Sequence, residues 1–172
     1  GEDFNEVVFD NVLVPKDRIV GEPGNGWQQV TSELAYERSG PERFLSSFRV
    51  FVELVRICGD DPSPHQAAAI GRIASHFMTL RRMSLSVAGM LEAGKDVSVE
   101  AALVKELGNN FEKLLPEIAR LVVPDLSAVD PDKQRLFRET FEETLMLSPS
   151  FTLRGGTREI MRGVIARGLG LR

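Results

Sequence analysis

The hydrophobic pattern changes its period once along the chain. Residues 4 to 20 carry Val7, Val8, Phe9, Val12, Leu13, Val14, Ile19 and Val20, interrupted by Asp10–Asn11 and Pro15, which is the pattern of one or two short β-strands with turns. The stretch "GEPGNG" then breaks the chain, and from Trp27 the apolar positions recur at helical spacing almost to the end. The first helical stripe runs through Val30, Leu34, Glu37, Pro41, Phe44, Phe48, Phe51 and Val55, with a kink expected at Pro41, whose missing N–H leaves the carbonyl of Glu37 without its helical donor. A second helix aligns Ile70, Ile73, Phe77, Leu80, Met83, Val87 and Met90 and stops near Gly94. A third aligns Val99, Leu103, Leu107, Phe111, Leu114, Ile118 and Leu121 and ends at Pro124. A shorter fourth holds Leu136, Phe137, Thr140 and Thr144, is broken at "LSPSF", and a last helix starts at Thr157. Loops rich in Pro, Asp and Gly join these segments, so a mainly α protein built as an antiparallel four-helix bundle is the simplest arrangement.

Composition narrows the function classes. With 172 residues, 42% hydrophobic and 27% charged, the chain can build one packed core and is not a disordered sequence. A net charge of −4 offers no general attraction to nucleic acid or an anionic membrane. No apolar run is long enough to span a bilayer and no basic-then-apolar leader is seen, so membrane insertion is not expected and a cytoplasmic location is. The lone Cys58 cannot pair internally, which fits a reducing compartment. His65, His76 and Cys58 are scattered in sequence, and no metal site is expected. Strand-like sequence with little to pair against gives the expectation that Gly1 begins a piece, or the ordered part, of a longer protein.

Two features point to chemistry. Glu37 is the one carboxylate on an otherwise apolar stripe, and the residues one turn away, Glu33, Leu34, Gly40 and Pro41, include no cation. A carboxylate desolvated there is raised toward the range in which a general base works well. The alternative is that Glu37 turns to solvent or is paired by an arginine from elsewhere, Arg38 included. The second feature is "RGGTRE": Gly155 and Gly156 precede a helix start at which Thr157 suits the N-cap, Glu159 suits the first turn, and bare backbone N–H groups can hold an anion. From that spacing alone a plain capped helix after a tight turn is the simpler reading, because Gly-Gly before a helix is a weak motif.

Taken together and in order, "VVFDNVLVPKDRIVGEPGNGW", "ELAYERSGPERF" and "RGGTREIMRGVIARGLGL" resemble the last middle-domain strands and the C-terminal helical domain of acyl-CoA dehydrogenases. The resemblance implies that residues 1–22 are the end of a middle β domain with its linker, and residues 23–172 the C-terminal bundle. It also implies FAD as cofactor. In many members of that family a glutamate directly before the Gly-Thr is the catalytic base, and the matching position here is Gly155. Others, isovaleryl-type enzymes among them, keep the base on the first helix in a Glu-Arg pair that matches Glu37-Arg38. On this resemblance Glu37 removes a proton from the carbon beside the thioester while a hydride leaves the next carbon for flavin N5, giving a 2-enoyl-CoA. Thr157, Arg158 and Glu159 match a stretch that contacts the adenosine half of FAD. Gly156 matches a position near the thioester, and Ala35, Tyr36 and Arg38 match a stretch lining the acyl-CoA substrate. Electron-transfer flavoprotein or a similar acceptor, and assembly as a homodimer or homotetramer, follow from the same likeness.

Two family motifs are absent. The Arg-x-x-Phe-Gly loop is replaced by "RICGDDPSPHQ", and the Gly-Gly-x-Gly stretch by "VVPDLSAVDPDKQ". Both normally build the flavin site across a subunit interface. Their loss favours a second reading, a non-catalytic partner subunit of a heteromeric dehydrogenase; a helical assembly module without chemistry is a third. The fragment by itself is expected to be inactive.

Overall fold

The computed structural model describes residues 5–171 and resolves into two units, Gly1–Glu33 and Leu34–Arg172. In the first unit no β-strand forms among the described residues. The segment expected as strands, of which Phe4 lies outside the described residues, is irregular, followed by a 3-10 turn at Lys16–Arg18. A strand needs a neighbouring backbone to pair with, and the segment finds none. Phe9, Leu13 and Trp27 are each at least 81% exposed. Gly21 and Gly24 turn the chain at positive φ, and Gln29 Nε2 donates to the carbonyl of Val20 at 2.9 Å, tying the turn to the start of helix α1.

Helix α1 spans Gly26–Ser39, and here the long kinked helix expected from the stripe does not occur. Gly40 is extended, a conformation that the following Pro41 favours, so the helix stops rather than bends. A 3-10 turn at Pro41–Arg43 follows, and α2 begins afresh at Phe48–Cys58. The restart also turns the face: Val50, Leu54 and Ile57 are buried in α2, whereas Phe48 and Val55 are over a third exposed. Gly59, at φ 67°, ends α2 with its N–H on the carbonyl of Val55.

Helix α3, Pro64–Glu92, opens with a reciprocal capping box in which Ser63 and Gln66 satisfy each other's backbone N–H. The Gln66 amide also donates to the carbonyl of Val122 at 3.1 Å, so one side chain caps the start of α3 and the end of α4, Ser98–Val122. The expected face of α3 is the observed one: Ile73, Phe77, Leu80 and Val87 are buried. Helices α5, Pro131–Leu147, and α6, Arg158–Gly168, complete a multi-helix bundle, joined by a 3-10 turn at Ser148–Thr152. Asp130 caps α5 through the N–H groups of Asp132 and Lys133, and Phe137, Thr140 and Thr144 are buried as the periodicity implies.

Helix α4 is the centre of the second unit, packed against α2, α3, α5 and α6. Its expected stripe is corrected by the structure. Leu107, Leu114 and Leu121 are 47%, 50% and 69% exposed, while Lys105, Asn109 and Glu112 have no exposed surface. Two sequence details explain how such a helix is built. Gly108 lets the backbone of Arg43 pass directly over α4, where any side chain would strike the Arg43 carbonyl. Pro116 sits inside the helix and removes the donor to the carbonyl of Glu112; the Ser47 hydroxyl, fully buried, donates to that carbonyl at 3.1 Å instead.

Candidate active site

The break after α1 creates the first half of the site. Pro41 has no N–H for the carbonyl of Glu37, and Arg43 takes its place, Nε donating to that carbonyl at 2.9 Å. The other end of the same guanidinium donates to the Glu37 carboxylate at Oε1. Arg43 is buried and holds Glu37 by main chain and side chain at once. The unpaired carboxylate expected from the stripe is therefore not observed: the cation lies six residues on, a spacing at which an unbroken helix would not bring the two together, and the break folds it back. The side chain of Glu37 retains 33% exposure, and Oε2 makes no hydrogen bond among the described residues.

The second half is the loop between the Ser148–Thr152 turn and α6. Gly155 and Gly156 both sit at positive φ, 68° and 101°, a backbone that side-chain-bearing residues rarely adopt. Conformation favours the first of them, and the tip of the Glu37 side chain also occupies the space beside it. A methyl placed on Gly155 would lie 2.8 Å from Glu37 Oε1, 3.2 Å from its Cδ and 3.4 Å from Lys105 Cε. Glu37 and Gly155, separated by most of the chain, are thus brought into contact. Arg38 joins them, its Nε donating to the carbonyl of Gly155 at 3.3 Å and its terminal nitrogen reaching within 4.0 Å of where a Gly156 side chain would start. Burial works to lower the Arg38 pKa while the neighbouring Glu37 opposes it.

Beneath the loop runs the buried polar face of α4. With its amide oriented to satisfy both neighbours, Asn109 accepts from Lys105 Nζ at 2.7 Å and donates to the carbonyl of Phe151 at 3.1 Å. Burial, and then the nearby Arg43, push Lys105 down to about 8, with Arg38 and Arg154 adding to the effect and Glu106 opposing it. Glu112 accepts from the Ser46 N–H at 2.7 Å and from Arg154 at 3.1 Å. Burial raises its carboxyl, against the pull of Ser46 and Arg154. Arg154 also donates to the Ser46 hydroxyl at 3.0 Å and lies over the Phe151 ring.

The remaining expected site residues fall in different places. Arg158 is turned inward onto Glu106 at 3.1 Å, shared with Arg162 at 3.0 Å, and is not directed outward. Burial of Glu106 favours its neutral form, yet hydrogen bonds from Arg158, Asn110 and Arg162 outweigh this and hold it below the ordinary carboxylate range. Thr157 occupies the N-cap position of α6 without a side-chain capping bond to the backbone, and the exposed Glu159 beside it is held below the ordinary carboxylate range by its own N–H and by the Thr157 hydroxyl. Ala35 packs on the core and Tyr36 is 61% exposed. Arg43, Lys105, Asn109, Glu112 and Arg154 carried no expectation as site residues. The signal for three of them was present as polar residues at 105, 109 and 112, one helical face, a pattern ordinarily assigned to solvent. Among the described residues no group of three or more His, Cys, Asp and Glu side chains is arranged to hold a metal ion, and no helix is long and apolar enough to cross a membrane.

No family model matches the chain. Among curated proteins it is similar to acyl-CoA dehydrogenase IpdE1 of Mycobacterium tuberculosis, with 32% identity over 98% of this chain and 44% of the relative. It is similar to the protein of that name from Mycolicibacterium smegmatis at 27% identity, over 98% of this chain and 43% of the relative. A third relative, acyl-CoA dehydrogenase FadE34 of Mycobacterium tuberculosis, is 26% identical over 96% of this chain and 22% of its own length. The chain therefore spans less than half the length of the curated relatives it matches.

Proposed function

This chain is homologous to the acyl-CoA dehydrogenase family over part of those proteins' length, and on that premise we propose that it is the C-terminal portion of an FAD-dependent acyl-CoA dehydrogenase in which Glu37 is the catalytic base. The observation that carries this reading is the contact between Glu37 and Gly155. On the resemblance Glu37 and Gly155 match the two positions at which the family keeps such a base; the second lacks a side chain, and the carboxylate of the first lies in the space that one would take. Glu37 takes the proton from the carbon beside the thioester carbonyl, with Oε2 the oxygen open to receive it while Arg43 fixes Oε1 and the direction of the side chain. Arg38 and Gly156 face the thioester region, and Ala35 and Tyr36 border the acyl-CoA.

FAD, when bound, supplies the hydride acceptor. The residues at the start of α6 fit a polar edge of it: the first-turn N–H groups, together with the exposed carboxylate of Glu159, which its own N–H and Thr157 hold below the ordinary carboxylate range, suit the hydroxyl and amine groups of an adenosine better than a phosphate, which Glu159 would repel. Thr157 and Glu159 make those contacts, and Arg158 supports them from its bridge to Glu106. Residues 1–22, whose apolar side chains are exposed from Val7 to Val20, are the end of the middle β domain and pair with strands of the full-length protein; residues 23–172 are the antiparallel C-terminal bundle. The full-length protein acts in the cytoplasm as a homodimer or homotetramer and passes electrons to an electron-transfer flavoprotein or similar acceptor.

A second reading, a partner subunit that supports a flavin site without completing one, is favoured by the closure of Arg43 on Glu37 and by the replaced flavin-loop motifs. One experiment separates the two. The full-length protein should purify yellow and bleach with a panel of acyl-CoA thioesters, and Glu37→Gln should keep the colour while slowing flavin reduction by about two to four orders of magnitude, the worth of a positioned base. Wild-type rates in the Gln variant would remove Glu37 from the chemistry, and a protein that no thioester bleaches would be the partner subunit.

A further inference from the structure

We propose that Lys105 is a positioning residue for the Glu37–Gly155 contact, acting through Asn109 and the carbonyl of Phe151 on the loop that carries Gly155; the proposal rests on the reading of Glu37 as the base. The loop holds itself only weakly. Two successive glycines at positive φ leave its backbone the most permissive stretch of the site, and beyond the turn at 153–155 no well-aligned backbone hydrogen bond is made by the N–H groups of residues 154–160. Its position is set from outside, by Arg38 on the Gly155 carbonyl, by Arg154 on Glu112 and Ser46, and from below by α4.

Lys105 has no exposed surface, and its stem is the floor under Gly155, with Cε 3.4 Å from where a side chain there would begin. Its ammonium is spent on a single relay, to Asn109 and on to Phe151, the residue from which the chain turns into the loop. The groups around it are Arg38 and Glu37 from α1, Arg43 from the 3-10 turn, Arg154 from the loop, and Glu106 on its own helix. An apolar residue of the same length would fill this volume without desolvating a charge, so stability does not account for the lysine. What the lysine provides and an apolar residue lacks is the relay, which fixes the height of the loop against the Glu37 carboxylate. A displacement of about an ångström at a reacting group is enough to lower a rate about a hundredfold.

The test uses the full-length protein with Lys105→Met, Asn109→Leu and the double variant. Hydrogen–deuterium exchange over residues 150–157 is expected to quicken in both single variants to a similar degree and no further in the double, with α3 unchanged, because both substitutions cut one relay. Stopped-flow reduction by an acyl-CoA that bleaches the wild type should show a limiting rate about 10- to 100-fold lower and an unchanged apparent thioester affinity. Unaltered exchange in the loop overturns the proposal whether or not the protein reduces its flavin. Quickened exchange with an unaltered limiting rate overturns it as well, since the relay would then hold the loop without positioning the base. If no thioester reduces the wild-type flavin, it is the proposed function that fails, and exchange alone decides whether Lys105 holds the loop. Should Lys105→Met not fold, Asn109→Leu cuts the same relay and carries both measurements.

Discussion

Replacing Lys105 with Met should change how the stability of the chain depends on pH, and the size of the change follows from the burial of the amine. An unfolded lysine titrates at 10.5, and in the folded chain burial brings Lys105 down to about 8. Below the lower value both states hold the proton, and the folded state bears the whole penalty of enclosing a charge among three arginines. Between the two values the folded state has released its proton and the unfolded state has not. The unfolded state then binds more protons, so stability rises with pH through that window. One proton corresponds to about 1.4 kcal/mol per pH unit, and two and a half units correspond to about 3 kcal/mol. Urea denaturation of both chains from about pH 7 to about pH 11 measures it, plotted as wild type minus variant so that contributions common to both chains cancel. The difference should be level below about pH 8 and climb by about 3 kcal/mol toward pH 10.5. A level or falling curve across that window would mean that the amine is not the desolvated group described, and the account of the polar face of α4 would be lost with it.

Two further substitutions probe how the site is assembled. Gly108→Ala should lower stability by about 1–3 kcal/mol through overpacking against the Arg43 carbonyl and should weaken the hold on Glu37; a denaturation midpoint equal to the wild type would contradict the close crossing. Ser47→Ala should lower stability by about 1–3 kcal/mol because the Glu112 carbonyl, stripped of its helical donor by Pro116, is left buried and unsatisfied, whereas Ser47→Ala combined with Pro116→Ala should recover part of that loss by restoring the N–H.

How much of this was legible in the sequence differs from helix to helix, for a physical reason. Helices α3 and α5 touch the core along one side, so their apolar period gave the buried face directly: Ile73, Phe77, Leu80 and Val87 in one, Phe137 with Thr140 and Thr144 in the other. The period failed where the assumption behind it failed. Helix α4 has neighbours on nearly every side, and burial there follows the neighbours and not the polarity of the residue, so Lys105, Asn109 and Glu112 are enclosed while three leucines face outward. The first stripe failed at Gly40–Pro41, where a break was read as a kink, and the turn that follows carries the arginine that no helical spacing could have assigned to Glu37.

Glu37 stood out for being a carboxylate without a partner, and it has one; no spacing in the chain pointed to its contact with Gly155. Both facts trace to proline. Pro41 and Pro116 each strip a carbonyl of its helical donor, at Glu37 and Glu112, and in each case a side chain from the stretch that follows the break, Arg43 or Ser47, supplies the missing bond. Residues 40–47 are thereby fastened at one end to the proposed base and at the other to α4, whose next polar side chains hold the glycine loop opposite. The placement of Glu37 is accordingly a property of these two prolines and of one polar helix face, and changes there should shift Glu37 without altering Glu37 itself.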